Sequence, residues 1–131
     1  MKTVIEYRVP YADTDQMGVV YYANYLVYFE RARNELLREA GEPYAKMEED
    51  GLMLPVIESY CRHKRPARYD DLLHISAWVG GTSGPRVTIN CEVRRGDELL
   101  AAGHTVHACV DIASRRPVRT MPDFIERLRK E

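Results

Sequence analysis

The chain opens on an alternation. Thr3, Ile5, Tyr7, Val9 and Tyr11 share one face at a period of two, which predicts a strand over residues 3–11. At about Tyr22 the period lengthens. Tyr22, Tyr25, Leu26, Phe29, Ala32, Leu36, Leu37 and Ala40 fall on one stripe at helical spacing, with Arg31, Arg33, Arg38 and Glu39 mostly off it. Gly41 is a natural stop, and Pro43 just beyond agrees. A short second helix is predicted over residues 43–50, closed by Gly51.

The remainder reads as sheet. One long strand is predicted over residues 54–65 and another over residues 72–79, the latter ending at Gly80-Gly81. Residues 86–94 alternate strictly, with Val87, Ile89, Cys91 and Val93 inward and Thr88, Asn90, Glu92 and Arg94 outward. The segment RRGDE, residues 94–98, makes a hairpin turn into a returning strand over residues 99–111. Val118 starts a short last strand, and residues 120–130 suggest a terminal helix with Pro122 in its first turn. One long helix and one large antiparallel sheet of four or five strands after it imply an α+β layer with the sheet curled around the helix.

Composition narrows the class. The 131 residues suit one domain spanning 1–131, with 45% hydrophobic and 30% charged residues and a net charge of −1. No basic excess points to nucleic acid. The first residues, MKTVIEYRVPY, alternate instead of forming a signal-peptide block, and no long uncharged apolar run suggests a membrane span. Cys61, Cys91 and Cys109 are odd in number and lack a C-x-x-C spacing, so reduced thiols in a cytoplasmic protein are expected. His63, His74, His104 and His107 all fall in predicted strands. His104 and His107, three apart, point to opposite faces, which argues against a metal site. No cofactor is implied, and no Gly-rich phosphate loop leads from a strand into a helix.

Candidate chemistry concentrates in DTDQMGVVYYANYLVYFERAR, residues 13–33, where two aspartates precede the main helix. The first N–H groups of a helix lack intrahelical acceptors and carry partial positive charge, so they suit an oxyanion. A carboxylate on the preceding loop, made flexible by Gly18, can face the same carbon as nucleophile or as base for water. Asp13 reads as a turn residue. Glu30 lies off the apolar stripe and reads as a surface or interface ion-pair partner. Lys64, Arg65, Arg68, Ser83 and Arg86 stand at predicted strand ends, and Arg65, Ser83 and Arg86 are the candidates for binding an anionic ligand. Gly18 and Tyr21 complete the candidate substrate-binding set.

The stretch YADTDQMGVVYYANYLVYFERAR, with KRPARYDDLL at 64–73 and RRGDELLAAGHTVHACVD at 94–111, resembles the hotdog-fold acyl-CoA thioesterases. The similarity is to the branch of the 4-hydroxybenzoyl-CoA and tol-pal-associated acyl-CoA thioesterases. It implies a long central helix wrapped by a curved antiparallel sheet of five or six strands. It also implies that Asp15 is the catalytic carboxylate, that the Tyr22 N–H polarises the thioester carbonyl, and that homodimers or homotetramers place active sites at subunit interfaces. The tol-pal-associated branch often has histidine at the position of Tyr22 and the hydroxybenzoyl branch tyrosine, so the acyl group stays open. Two other readings remain. A hotdog dehydratase would need a histidine base near the helix, and no histidine precedes His63. A non-hydrolytic module would bind an acyl thioester or a protein partner.

Overall fold

The computed structural model describes residues 1–129 of the 131. Five strands form the main sheet in the order β1-β4-β5-β6-β3: β1 (Lys2–Arg8), β3 (Val56–His63), β4 (Leu72–Ser83), β5 (Arg86–Arg95) and β6 (Glu98–Ala108). All its pairings are antiparallel. Helix α1 (Asn24–Glu39) packs against β4, β1 and β5, so the sheet wraps it. A second sheet joins β2 (Leu52–Met53), β7 (Val110–Asp111) and β8 (Arg116–Pro117), beside α2 (Tyr44–Glu49), while α3 (Asp123–Arg129) closes against β4. This is the α+β hotdog architecture.

The α1 stripe forms the core. Tyr25, Phe29, Ala32, Leu36 and Leu37 are buried, as the spacing predicts, against Leu73, Ile75, Ala77, Val87, Ile89, Cys91 and Val93. Each large side chain buried this way contributes roughly 1.5–3 kcal/mol. Three positions depart from the expectation. Tyr22 precedes the helix and is exposed, Leu26 is partly exposed, and Tyr28 is buried. The helix ends as Gly41 predicts. With φ at +83°, Gly41 lets its own N–H donate to Arg38 O at 3.0 Å and the Glu42 N–H donate to Leu37 O at 3.0 Å.

Several predicted boundaries shift for local reasons. The first strand stops at Arg8 because Pro10 lacks an N–H; residues 11–13 form a 3₁₀ turn and Tyr11 is exposed instead of inward. The strand expected over residues 54–65 is the single, shorter strand β3, and Leu54 and Pro55 divide it from β2, which the sequence reading missed, in the second sheet. The returning strand likewise divides at Cys109 into β6 and β7. Gly80-Gly81 does not end β4. The register shifts between Val79 and Gly81, a bulge that bends the strand onward to Ser83. The last strand precedes Val118. The terminal helix starts at Asp123, just after Pro122; Lys130 lies outside the described residues.

At the far edge, Gly103 of β6 lies opposite Cys61 of β3. A Cβ there would collide with the Tyr60 carbonyl, so glycine is what allows β3 to approach. No helix among the described residues is long and apolar enough to cross a membrane.

Candidate active site

Residues 14–20 are an ordered hairpin, not a flexible loop. Thr14 bridges Val20, the Asp15 N–H donates to Val19 O at 3.0 Å, and the Gly18 N–H donates to Asp15 O at 3.0 Å. Gly18, at φ +79°, makes the turn. The Met17 N–H donates to Asp15 Oδ1 at 2.9 Å, an Asx turn that fixes the carboxylate. Among the described residues Asp15 Oδ2 has no donor and the carboxylate no cation.

The start of α1 supplies the other half. Asn24 N–H donates to Tyr21 O and Tyr25 N–H to Tyr22 O, so the chain tightens before the helix begins. The Tyr22 N–H has no acceptor among the described residues. It adds a donor beside the partial positive charge of the helix start.

A cavity of about 280 Å³ joins the two halves. Asp15 and Tyr22 line it with Met17, Val19, Val20 and Tyr25. The end of β3 contributes His63, and the turn after it Lys64, Arg65 and Pro66, from across the fold. That turn is tied down: the Val20 N–H donates to Ala67 O at 2.8 Å, and the Ala67 N–H donates to the Tyr25 hydroxyl oxygen at 3.2 Å. Burial raises the pKa of the Tyr25 phenol, so it remains a neutral anchor. The His63 ring meets the Tyr25 ring edge-on at 4.9 Å. Arg65 pairs with Glu98 at 3.2 Å, whereas Lys64 has no ion-pair partner among the described residues.

Of the candidates read from sequence, Asp15, Tyr22 and Arg65 meet at this cavity. Gly18 serves its turn, and Tyr21 packs at a tilt against Tyr22, with ring centroids 4.7 Å apart, without lining the cavity. Ser83 and Arg86 do not join them. They line a separate depression of about 360 Å³ with Glu58, Thr88 and Val106, on the sheet face away from α1. His63 escaped the sequence reading, although its alternation with Cys61 along the edge strand would have placed it on the α1 face. His104 and His107 take opposite faces of β6, as their spacing requires, and His107 is buried.

Asp13 is more than a turn residue. Its Oδ2 accepts the hydroxyls of Tyr7 and Tyr28, each at 2.7 Å. Burial, then this carboxylate, pushes the Tyr7 phenol up to about 12 and raises that of Tyr28 as well. The thiols offer no competing nucleophile. Burial lifts Cys61 and Cys109 to about 11 and Cys91 to about 12, so none is a thiolate near neutral pH. Among the described residues, Asp15 is the only carboxylate lining the cavity.

The model of the thioesterase-like superfamily matches residues 9–128. The chain belongs to this superfamily. Among curated members, the acyl-CoA thioesterase YbgC of Haemophilus influenzae is 35% identical over 115 residues, covering 85% of this chain and 82% of that one. Among solved structures, a hypothetical protein from Thermus thermophilus superposes with a TM-score of 0.90 at 34% identity, over 98% of each chain. The DHNA-CoA thioesterase of Staphylococcus aureus superposes with a TM-score of 0.89 at 31% identity, over 98% of this chain and 89% of that one.

Proposed function

We propose that this chain hydrolyses an acyl-CoA thioester to the free acid and CoA. One observation supports the reading: a single cavity is lined both by Asp15, whose Oδ2 has no donor among the described residues, and by Tyr22, whose N–H has no acceptor among them. The N–H polarises the thioester carbonyl and receives the oxyanion as it forms. Asp15 either attacks the carbonyl carbon, giving an anhydride that water opens, or takes a proton from the attacking water. In both routes the C–S bond breaks, water supplies the oxygen of the acid, and CoA leaves as its thiol. Lys64 and Arg65 stand at the cavity to meet phosphates. Ser83 and Arg86, remote from Asp15 in their own chain, serve CoA on this reading only if a second copy brings them to the interface.

Assembly belongs to the same reading. Strand β3 pairs on one side only, with β6, and leaves Val56, Ile57 and Tyr60 exposed. Leu26 and Val27 of α1 are exposed beside it, in a depression shared with Val56. Pairing two β3 edges across a twofold covers these side chains and removes an open edge. A homodimer follows, with a homotetramer as its further association. Three free cysteines fit a cytoplasmic location.

The dehydratase reading gains one feature, since His63 reaches the Asp15 cavity from β3. Thiol release measured over acetyl-, hexanoyl-, palmitoyl-, benzoyl- and hydroxybenzoyl-CoA tests the leading reading. Release from at least one is expected. Absence of release across the panel, with hydration of crotonyl-CoA instead, would select the dehydratase.

A further inference from the structure

Asp13 occupies a junction that the reaction itself does not require. Two hydroxyls from different elements converge on one of its oxygens, Tyr7 from β1 and Tyr28 from within α1. Both bonds are 2.7 Å, the short distance of donors to a charged acceptor. The backbone carbonyl of the same residue accepts the Tyr21 N–H at 2.9 Å and Asn24 Nδ2 at 2.9 Å. The side chain thus grips the strand and the helix, and the main chain grips the turn into α1. The next N–H after the one it holds is that of Tyr22, which is unpaired. Two residues on in the other direction is Asp15.

We infer that Asp13 is a positioning residue: the Tyr7–Asp13–Tyr28 clamp sets the separation between the Asp15 carboxylate and the Tyr22 N–H. The inference rests on the hydrolytic reading above. A turn aspartate with no further task would satisfy N–H groups of its own loop, as Asp15 does for Met17. Asp13 instead spends its side chain on two distant elements. Displacing a reacting group by about 1 Å costs on the order of 100-fold in rate, so a clamp at this point acts on turnover before it acts on binding.

Four variants test it: Asp13→Ala, Asp13→Asn, the Tyr7→Phe/Tyr28→Phe pair, and all three positions changed together. Each is assayed by thiol release well below its melting temperature, with Asp15→Asn alongside. Asp13→Ala is expected to lower kcat on the order of 10- to 100-fold with KM within about threefold. Asp13→Asn, which keeps an acceptor oxygen for both hydroxyls, restores kcat to within about tenfold of wild type. The phenylalanine pair reproduces most of the loss without a cavity. Adding Asp13→Ala to it costs less than about twofold more, because both remove one clamp.

A folded Asp13→Ala protein with wild-type kcat, a loss confined to KM, or full additivity with the tyrosine pair overturns the inference. If Asp15→Asn also turns over normally, the hydrolytic reading itself has failed. In that event amide exchange decides: the Tyr21 N–H should lose protection in Asp13→Ala and in the phenylalanine pair, and unchanged protection overturns the clamp independently of activity.

Discussion

Arg33 donates from Nη1 to the Thr105 hydroxyl oxygen at 3.3 Å. Thr105 stands 2.8 Å from His107 Nε2, and His107 Nδ1 is 2.9 Å from the Leu54 carbonyl oxygen. Since the carbonyl only accepts, Nδ1 carries the proton. Nε2 then accepts the threonine hydroxyl, and the ring is neutral. A second proton would leave two cations facing one hydroxyl. Burial first, and Arg33 in addition, lowers the His107 pKa from 6.5 to about 4, against the opposing bond to Leu54.

The sign of the pH dependence follows. The unfolded chain takes up this proton as pH falls past about 6.5, while the folded chain resists until about 4. The contribution is complete above the higher value and is lost across that window, up to about 3 kcal/mol. Urea unfolding at pH 7.5 and 4.5 checks it, with His107→Gln as reference because carboxylates titrate in the same range. The advantage of wild type over the variant should shrink at the lower pH; parallel curves would mean that His107 is not the group responsible.

Asp15→Asn retains Oδ1 for the Met17 N–H and so should leave the melting temperature nearly unchanged. Turnover should fall at least ~100-fold, the lower end of what loss of a general base removes, and further if Asp15 is the nucleophile. Glu30→Gln should stay within about tenfold, since Glu30 is exposed and does not line the Asp15 cavity. Near-normal thiol release by Asp15→Asn would refute its catalytic role.

Phe29 has no exposed surface and sits mid-stripe between α1 and the sheet. Phe29→Ala should cost on the order of 3–5 kcal/mol in denaturant unfolding. A loss under about 1 kcal/mol would place the centre of the core elsewhere.

Val27 and Ile57 are 47% and 43% exposed in the single chain. Lysine at either position should leave the protomer folded, because surface substitutions seldom exceed about 0.5 kcal/mol. If the β3 edges pair, Val27→Lys with Ile57→Lys should move the sedimentation profile from dimer or larger toward monomer. A wild-type protein that is monomeric and active at micromolar concentration would end the assembly proposal.

Repeat period and punctuation are local properties, and they gave the right answer where burial is one-sided. The alternation of β5 put Val87, Ile89, Cys91 and Val93 inside, and the α1 stripe located Phe29, Ala32, Leu36 and Leu37. Gly41 and Gly51, both at positive φ, ended their helices where a left-handed residue was needed. Asp15 and Tyr22 came from the family resemblance instead of from period, and both line one cavity because only the hairpin over residues 14–20 separates them.

Long-range pairing decided the rest. Apolar runs do not say which sheet they join, so residues 99–111 read as a single strand and β2, just before Leu54, went unread. Arg33 read as off the stripe, yet its pKa is lowered, chiefly by burial, because its neighbours come from β6. Tyr28 is buried because Tyr7 and Asp13 reach it from two other segments. His63 and Lys64 meet Asp15, and Ser83 and Arg86 do not, because β3 pairs with β6 at the sheet's far edge and turns back toward the α1 start. That placement is fixed by inter-strand hydrogen bonds and by what each strand buries against the helix, and neither leaves a periodic trace in the residues that end up together.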